Sequence, residues 1–193
     1  MRTPSFRLIL PALVLLTAGT LSAQAAVETY KIDAVHSNIS FKIRHLMSKV
    51  QGRFGKAEGV VALDTKDITK SSVDVSIDTN SISTNDEKRD GHLKTPDFFD
   101  VAKYPTITFK STKVKETSKG HLEVTGVFTM HGVARNLVLP ITFLGTQTDP
   151  YKNVVAGFEG GTTLNRTNFD MGYAPGLLGN DVEIDLNIEA RKQ

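Results

Sequence analysis

From Val182 to Ala190 apolar and polar residues alternate without a break, with Val182, Ile184, Leu186, Ile188 and Ala190 set against Glu183, Asp185, Asn187 and Glu189. A period of two puts the sets on opposite faces of a strand, one buried and one wet, which a helical repeat of 3.6 cannot do. The pattern recurs along the chain. Val73, Val75 and Ile77 alternate with Asp74, Ser76 and Asp78; Ile107 and Phe109 with Thr106, Thr108 and Lys110; Leu122, Val124, Phe128 and Met130 with Glu123, Thr125 and Thr129. Residues 37–44 add Ile39, Phe41 and Ile43 on one face, and residues 137–143 add Leu137, Leu139, Ile141 and Phe143. Pro140 lacks an N–H for the ladder, so its strand is expected at an edge or a bulge. Between Val50 and Leu63 the apolar positions change from even to odd across Gly52, Gly55 and Gly59, which predicts a bulge or bend. Gly120 and Gly132 predict tight turns, because glycine enters positive φ without steric cost.

One stretch departs from alternation. Thr84-Asn85-Asp86-Glu87 fits a capping box and predicts a short helix from Asn85 to about Leu93. Thr95-Pro96 then fits a second cap with proline at the first helical position, opening a turn of helix through Phe98 and Phe99. About eight amphipathic strands with so little helix must cover their apolar faces by packing on each other. The expected fold is therefore all-β: an eight-stranded antiparallel barrel with a helical insertion near residues 85–100, placed as a lid or plug. A barrel of that size is either filled by its own side chains or holds one small ligand. Many inward positions are Val, Ile, Ala or Gly, which favours a cavity, whereas the phenylalanines at strand parity would equally make a filled core.

Residues 1–25 read as a cleavable secretory leader: a basic start with Arg2 and Arg7, an apolar run from Leu8 to Leu21, and small residues ending Ala23-Gln24-Ala25. The run is interrupted by Pro11 and Gly19 and falls short of the roughly 20 residues a spanning helix needs. The domain proper is then residues 26–193, and the short leader suggests a bacterial periplasm. Of 23 basic residues, Arg2 and Arg7 lie in the leader, leaving 21 against 21 acidic ones. Such neutrality argues against nucleic acid as a partner, since binding it rests on neutralising phosphates. The chain has no cysteine, so it can form no disulfide and carry no lipid-modified N-terminal cysteine.

Several segments follow one another in order: Asp33-Ala34-Val35-His36-Ser37, residues 45–54 from His45 to Phe54, Arg89-Asp90-Gly91-His92-Leu93 with Pro96-Asp97-Phe98-Phe99-Asp100, Tyr104-Pro105-Thr106-Ile107-Thr108-Phe109, Thr129-Met130-His131-Gly132-Val133, and residues 165–172 from Asn165 to Gly172. Together they resemble the YceI-like family of lipocalin-like, polyisoprenoid-binding periplasmic proteins. The resemblance spans essentially the whole chain after the leader. It implies an extended eight-stranded lipocalin-like barrel whose apolar channel takes a prenyl or other amphiphilic chain. It further implies no established catalysis and no required cofactor beyond a bound polyisoprenoid, quinone or fatty-chain lipid. A homodimer and a membrane cytochrome are the protein partners it suggests.

The candidate lining of that channel is Phe41, Ile43, Phe54, Val75, Ile77 and Phe98, with Phe99, Phe109, Phe128, Ile141, Phe143 and Phe158. His45 shares the parity of Ile39, Phe41 and Ile43 and should point inward at a barrel mouth. There it could bond a ligand's head group, or it could be satisfied by a backbone carbonyl. Arg89, Asp90 and His92 near the insertion, and Arg166 at a strand end, are either head-group readers or groups that pin the rim. Histidines 36, 45, 92, 121 and 131 show no metal-binding spacing, and no G-x-S-x-G elbow is present, so neither a metal nor a catalytic site is expected; a hydrolase or isomerase acting on a lipid in the same channel, its groups assembled from separate strands, stands as an alternative. Burying about ten methylenes at roughly 0.8 kcal/mol each gives on the order of 8 kcal/mol before association costs.

Overall fold

The computed structural model describes residues 27–193; the expected leader lies outside them. The strands are β1 (Glu28–Ile32), β2 (Asn38–His45), β3 (Ser48–Phe54), β4 (Ala57–Leu63), β5 (Ser72–Asp78), β6 (Ile82–Ser83), β7 (Thr106–Ser118), β8 (His121–Met130), β9 (Val133–Thr148), β10 (Val154–Asn165) and β11 (Leu178–Lys192), with one α-helix, α1 (Glu87–Leu93). Around the ring β1, β4, β5, β7, β8, β9, β10 and β11 pair in that order, and β11 closes on β1. Each of these pairings is antiparallel. The result is a closed eight-stranded barrel.

At one end the wall continues upward. β11 pairs with β1 only through Ala190–Lys192, and its residues 178–187 pair with β2, which in turn pairs with β3. The change of parity expected between Val50 and Leu63 is a break between β3 and β4 at Gly55-Lys56. The neighbouring strand carries on across it: Gly55 donates to the Ser81 carbonyl, and the Asp78 amide to the Lys56 carbonyl. Val50 and Phe54 face inward above the break, Val61 and Leu63 below it. Both expected turns are present, Gly120 at φ 77° and the pair His131-Gly132 at 52° and 77°. Two consecutive positive φ values match the twist of a two-residue hairpin. Pro140 lies where β9 leaves β10: the two pair only over Ile141–Thr148 and Val154–Gly160, so the upper half of β9 is an edge on that side. Arg135 reaches across that gap and donates to the Asn168 carbonyl at 3.2 and 3.3 Å.

The lower end is sealed. Tyr30, Leu63, Ala156 and Ala190 are each 0% exposed and pack with Val61 and Phe143. The Tyr30 hydroxyl donates to Glu28 at 2.8 Å, so the phenol is anchored where the barrel closes. Burial, with the Glu28 carboxylate second, pushes its pKa up to about 12.

The insertion differs from expectation in two respects. Asp86, not Thr84, caps α1, its carboxylate accepting from the Arg89 amide at 2.9 Å. Asn85 takes a positive φ of 60°, turning the chain between them and burying Thr84 beneath the helix. There the Asp90 carboxylate accepts from both the amide and the hydroxyl of Thr84. No helix opens at Pro96 either; residues 96–103 form consecutive turns. The Thr95 hydroxyl donates to the His92 carbonyl at the end of α1, at 2.8 Å, and the Thr95 carbonyl accepts from the Phe98 and Asp100 amides, which closes turns and not a second helix.

Candidate functional site

Inside the barrel lies a cavity of about 550 Å³. It runs from the sealed floor up to a mouth built by the β2–β3 hairpin, α1 and the segment joining β10 to β11. Alternation supplies its wall, because every strand turns every second side chain inward. β11 contributes Val182, Ile184, Leu186 and Ile188; β8 contributes Leu122, Val124, Phe128 and Met130. Two close approaches shape the wall: Gly52 faces the Phe41 ring and Gly126 the Phe109 ring, and a Cβ at either would come within 2.4 and 2.6 Å of ring carbons.

Of the expected lining residues, Phe41 and Ile43 on β2, Phe54 on β3, and Val75 and Ile77 on β5 border the cavity. So do Phe109, Phe128, Ile141 and Phe158 on the facing strands, and Phe98 and Phe99 from the insertion. Phe143 does not. It shares their parity but lies at floor level, packed on the Tyr30, Leu63, Ala156 and Ala190 cluster and 5.3 Å from the Phe158 ring. Phe143 is the direct cross-strand partner of Phe158, which does border the cavity; Phe143 faces the same way but is taken up by packing on that cluster, and the expectation that it borders the cavity is corrected there.

The polar candidates collect at the mouth. His45 borders the cavity, and among the described residues its ring makes no hydrogen bond; His131 instead is the histidine satisfied by a carbonyl, with Nδ1 3.1 Å from the Phe169 oxygen. Arg89 spends Nε on the Thr84 hydroxyl at 2.7 Å and Nη2 on the Thr84 carbonyl at 2.8 Å, so it pins the helix to the residue that follows β6. His92 Nε2 lies 2.8 Å from Asp97, and its ring meets Phe98 and Tyr173 edge-on at 5.1 and 5.3 Å. Arg166 also borders the cavity, yet is only 3% exposed. It donates from Nε to the Gly179 carbonyl at 2.9 Å and from Nη1 to the Met171 and Tyr173 carbonyls at 2.6 and 2.9 Å. Burial pushes its guanidinium down from the usual arginine range.

Sequence reasoning missed the third side of the mouth, where Tyr173, Ala174 and Leu177 border the cavity. The signal available was a large aromatic within the turn-rich run Gly172-Tyr173-Ala174-Pro175-Gly176 and a leucine, Leu177, directly after it. Outside the barrel, Asp33, His36 and Glu189 bring ligand-type atoms within 4.8 Å of one another. Arg191 already supplies a cation there, its Nη2 3.3 Å from Asp33.

A closed antiparallel barrel with a blind, hydrocarbon-lined interior and a polar rim defines a lipocalin-like container. The YceI-like domain family matches residues 30–190, and the chain belongs to it. A UPF0312 protein of Vibrio parahaemolyticus is 38% identical over 184 residues, covering 94% of this chain and 95% of that protein. Among solved structures, Campylobacter jejuni YCEI protein is 28% identical, with a TM-score of 0.71 over 79% of this chain and 91% of its own. Burkholderia cenocepacia BcnA superposes with a TM-score of 0.76 at 22% identity, over 82% and 98%. A polyisoprenoid-binding domain from Saccharophagus degradans, implicated in plant cell wall breakdown, has the same fold, with a TM-score of 0.65 at 14% identity over 86% and 99%.

Proposed function

We propose that this chain is a periplasmic, non-catalytic carrier that holds a long-chain isoprenoid or similar amphiphilic lipid inside the barrel. The blind apolar cavity carries the reading. At about 550 Å³ it falls within the range of small-molecule sites. A dry cavity of about 150 Å³ takes one benzene, so by proportion this one takes roughly twenty carbon atoms. Burying that many at roughly 0.8 kcal/mol each outweighs association costs of about 4–15 kcal/mol. The polyisoprenoid named for the Saccharophagus degradans domain supports a prenyl tail as occupant. The hydrogen bonds of Arg89 and Asp90 to Thr84 give those groups a structural task and support binding without chemistry. Protein purified from its native compartment, extracted with organic solvent and analysed by mass spectrometry, should yield a co-purifying long-chain lipid. A clean extract, together with no binding of any prenyl or fatty chain in vitro, refutes the reading.

A quinone is a second candidate occupant, one that a membrane cytochrome could draw on; it is favoured by the unpaired His45 ring facing the cavity, a donor suited to a quinone carbonyl. Redox titration of the loaded protein separates the two, since a redox-inert lipid gives no couple.

A further inference from the structure

We propose that Arg166 is the head-group anchor of the cavity: the ligand enters tail-first and presents an oxygen acceptor, preferentially anionic, to Nη2 of this arginine just beneath the mouth. This rests on the lipid-binding reading and adds to it the orientation of the ligand and the chemistry of its head.

A guanidinium offers five N–H donors in a rigid planar fork. In Arg166 three are spent, on the carbonyls of Gly179, Met171 and Tyr173. Nη2, with the remaining two, is buried and has no partner among the described residues. Among the described residues no carboxylate forms an ion pair with this side chain, so its charge is met only by neutral carbonyls inside an apolar wall. A buried cation without a counter-charge is expensive to keep, and its unpaired donors add to that cost. Three carbonyls from three different residues fix the plane of the fork, so Nη2 cannot swing elsewhere for a partner. What remains is a preorganised, desolvated donor pair bordering the cavity, which is the state in which a charge-assisted bond to an incoming oxygen is strongest.

Arg89 provides the contrast. Its Nε and Nη2 are both engaged by Thr84, and its side chain is 41% exposed, so it has less to offer a ligand. Direction follows from where Arg166 sits. Its carbonyl partners belong to the segment between β10 and β11 and to the start of β11, whereas the floor at Ala190 lies toward the far end of that strand. From Gly179 to Ala190 the strand runs about 36 Å, or roughly 28 Å along the barrel axis at a typical tilt. A head at Arg166 therefore leaves the whole depth of the cavity to the tail.

The test uses delipidated full-length protein and three probes sharing one tail, farnesyl phosphate, farnesol and farnesene, with hexadecanoate as a carboxylate-headed comparison. Wild type should prefer farnesyl phosphate over farnesene by roughly tenfold or more. In Arg166→Met that preference should vanish while farnesene affinity stays within about twofold, and Arg166→Lys should keep part of it. Hexadecanoate losing affinity in step with farnesyl phosphate assigns the site to anionic oxygens in general; a loss confined to the phosphate assigns it to prenyl phosphates. Should Arg166→Met fail to fold, nitrogen NMR on wild type decides, because the Arg166 guanidinium resonances should shift with farnesyl phosphate and stay put with farnesene. Equal affinity of wild type for headed and headless probes, or a preference that survives in Arg166→Met, overturns the anchor. Failure of every probe to bind wild type overturns the lipid reading itself.

Discussion

Two glycine-to-alanine substitutions separate a wall that can give from one that cannot. At Gly52 a Cβ would lie 2.4 and 2.7 Å from the Phe41 ring and 2.9 Å from the Thr84 methyl. At Gly126 it would lie 2.5 Å from the Lys110 carbonyl oxygen and 2.6 Å from the Phe109 ring. Thr84 is held by Asp90 and Arg89, so in Gly52→Ala the adjustment falls on Phe41, whose ring borders empty space. Swinging into that space should hold the cost to about 1 kcal/mol, the low end for overpacking, and alanine's smaller unfolded-state entropy offsets part of it. Gly126→Ala confronts a ladder carbonyl that cannot move without disturbing the β7–β8 pairing, and should cost about 3 kcal/mol or more. For a chain of this size each 1 kcal/mol lowers Tm by roughly 2–4 °C. Thermal unfolding of the delipidated variants should therefore show a small drop for the first and one several times larger for the second. Ligand affinity should report the displaced ring as well. If Phe41 takes the place of about two methylenes of a bound tail, Gly52→Ala loses about 1.6 kcal/mol, roughly fifteenfold in Kd. Equal destabilisation by the two substitutions, or an unchanged Kd for the tail in Gly52→Ala, refutes the idea that Phe41 faces unfilled space.

Asp90→Ala leaves the buried Thr84 amide and hydroxyl without their acceptor and should cost about 1–3 kcal/mol, with hydrogen exchange accelerating in α1 before the barrel strands. His36 is raised above the usual histidine range, by its hydrogen bond to Asp33 foremost, so this pair favours the folded state at low pH and its contribution fades as pH climbs through the raised value; NMR titration should show His36 shifting back toward an ordinary pKa in Asp33→Asn. With its phenol raised to about 12, Tyr30 should stay protonated in the folded state after an unfolded chain's tyrosines ionise near 10, so stability falls as pH rises between those values, and Tyr30→Phe should flatten that part of the profile in denaturant melts. Leu164 borders the cavity below Arg166, and Leu164→Trp should fill part of it, weakening binding of a long tail more than of a short one in a chain-length series.

The barrel was legible where strands alternate cleanly and hidden where backbones crowd. Of β10 the sequence shows only Phe158 and the strand end at Arg166, because Gly157, Gly160 and Gly161 erase the alternation between them. Those glycines answer to their neighbours: a Cβ at Gly160 would lie 2.5 Å from the Pro140 oxygen, and one at Gly161 2.5 Å from the Ile184 oxygen. β1 is too short for a period to show, yet its Tyr30 seals the floor. The cap of α1 lies two residues beyond the expected Thr84, because Thr84 and Asp86 carry equivalent local signals and only the burial of Thr84 under the helix distinguishes them.

The candidate site divides along the same physical line. Which side chains face inward is a local property with a period of two, and it was readable; how deep each lies and how much room they leave is a property of the closed ring. Phe143 and Phe158 illustrate this, paired across one ladder and in ring contact on the same cluster, yet only Phe158 borders the cavity. Arg166 makes the point for polar groups. Its place at a strand end was visible in the sequence, but whether it would be a solvated rim charge or a buried one depended on the Gly179, Met171 and Tyr173 carbonyls folding over it. Those carbonyls leave Nη2 as the donor pair whose satisfaction the protein does not itself provide. The other three donors of Arg166 tie the β10–β11 segment to the start of β11 and would do so in a filled barrel as well; it is the unpaired Nη2 beside a cavity that supports the proposed reading, space for a tail and a fixed point for its head.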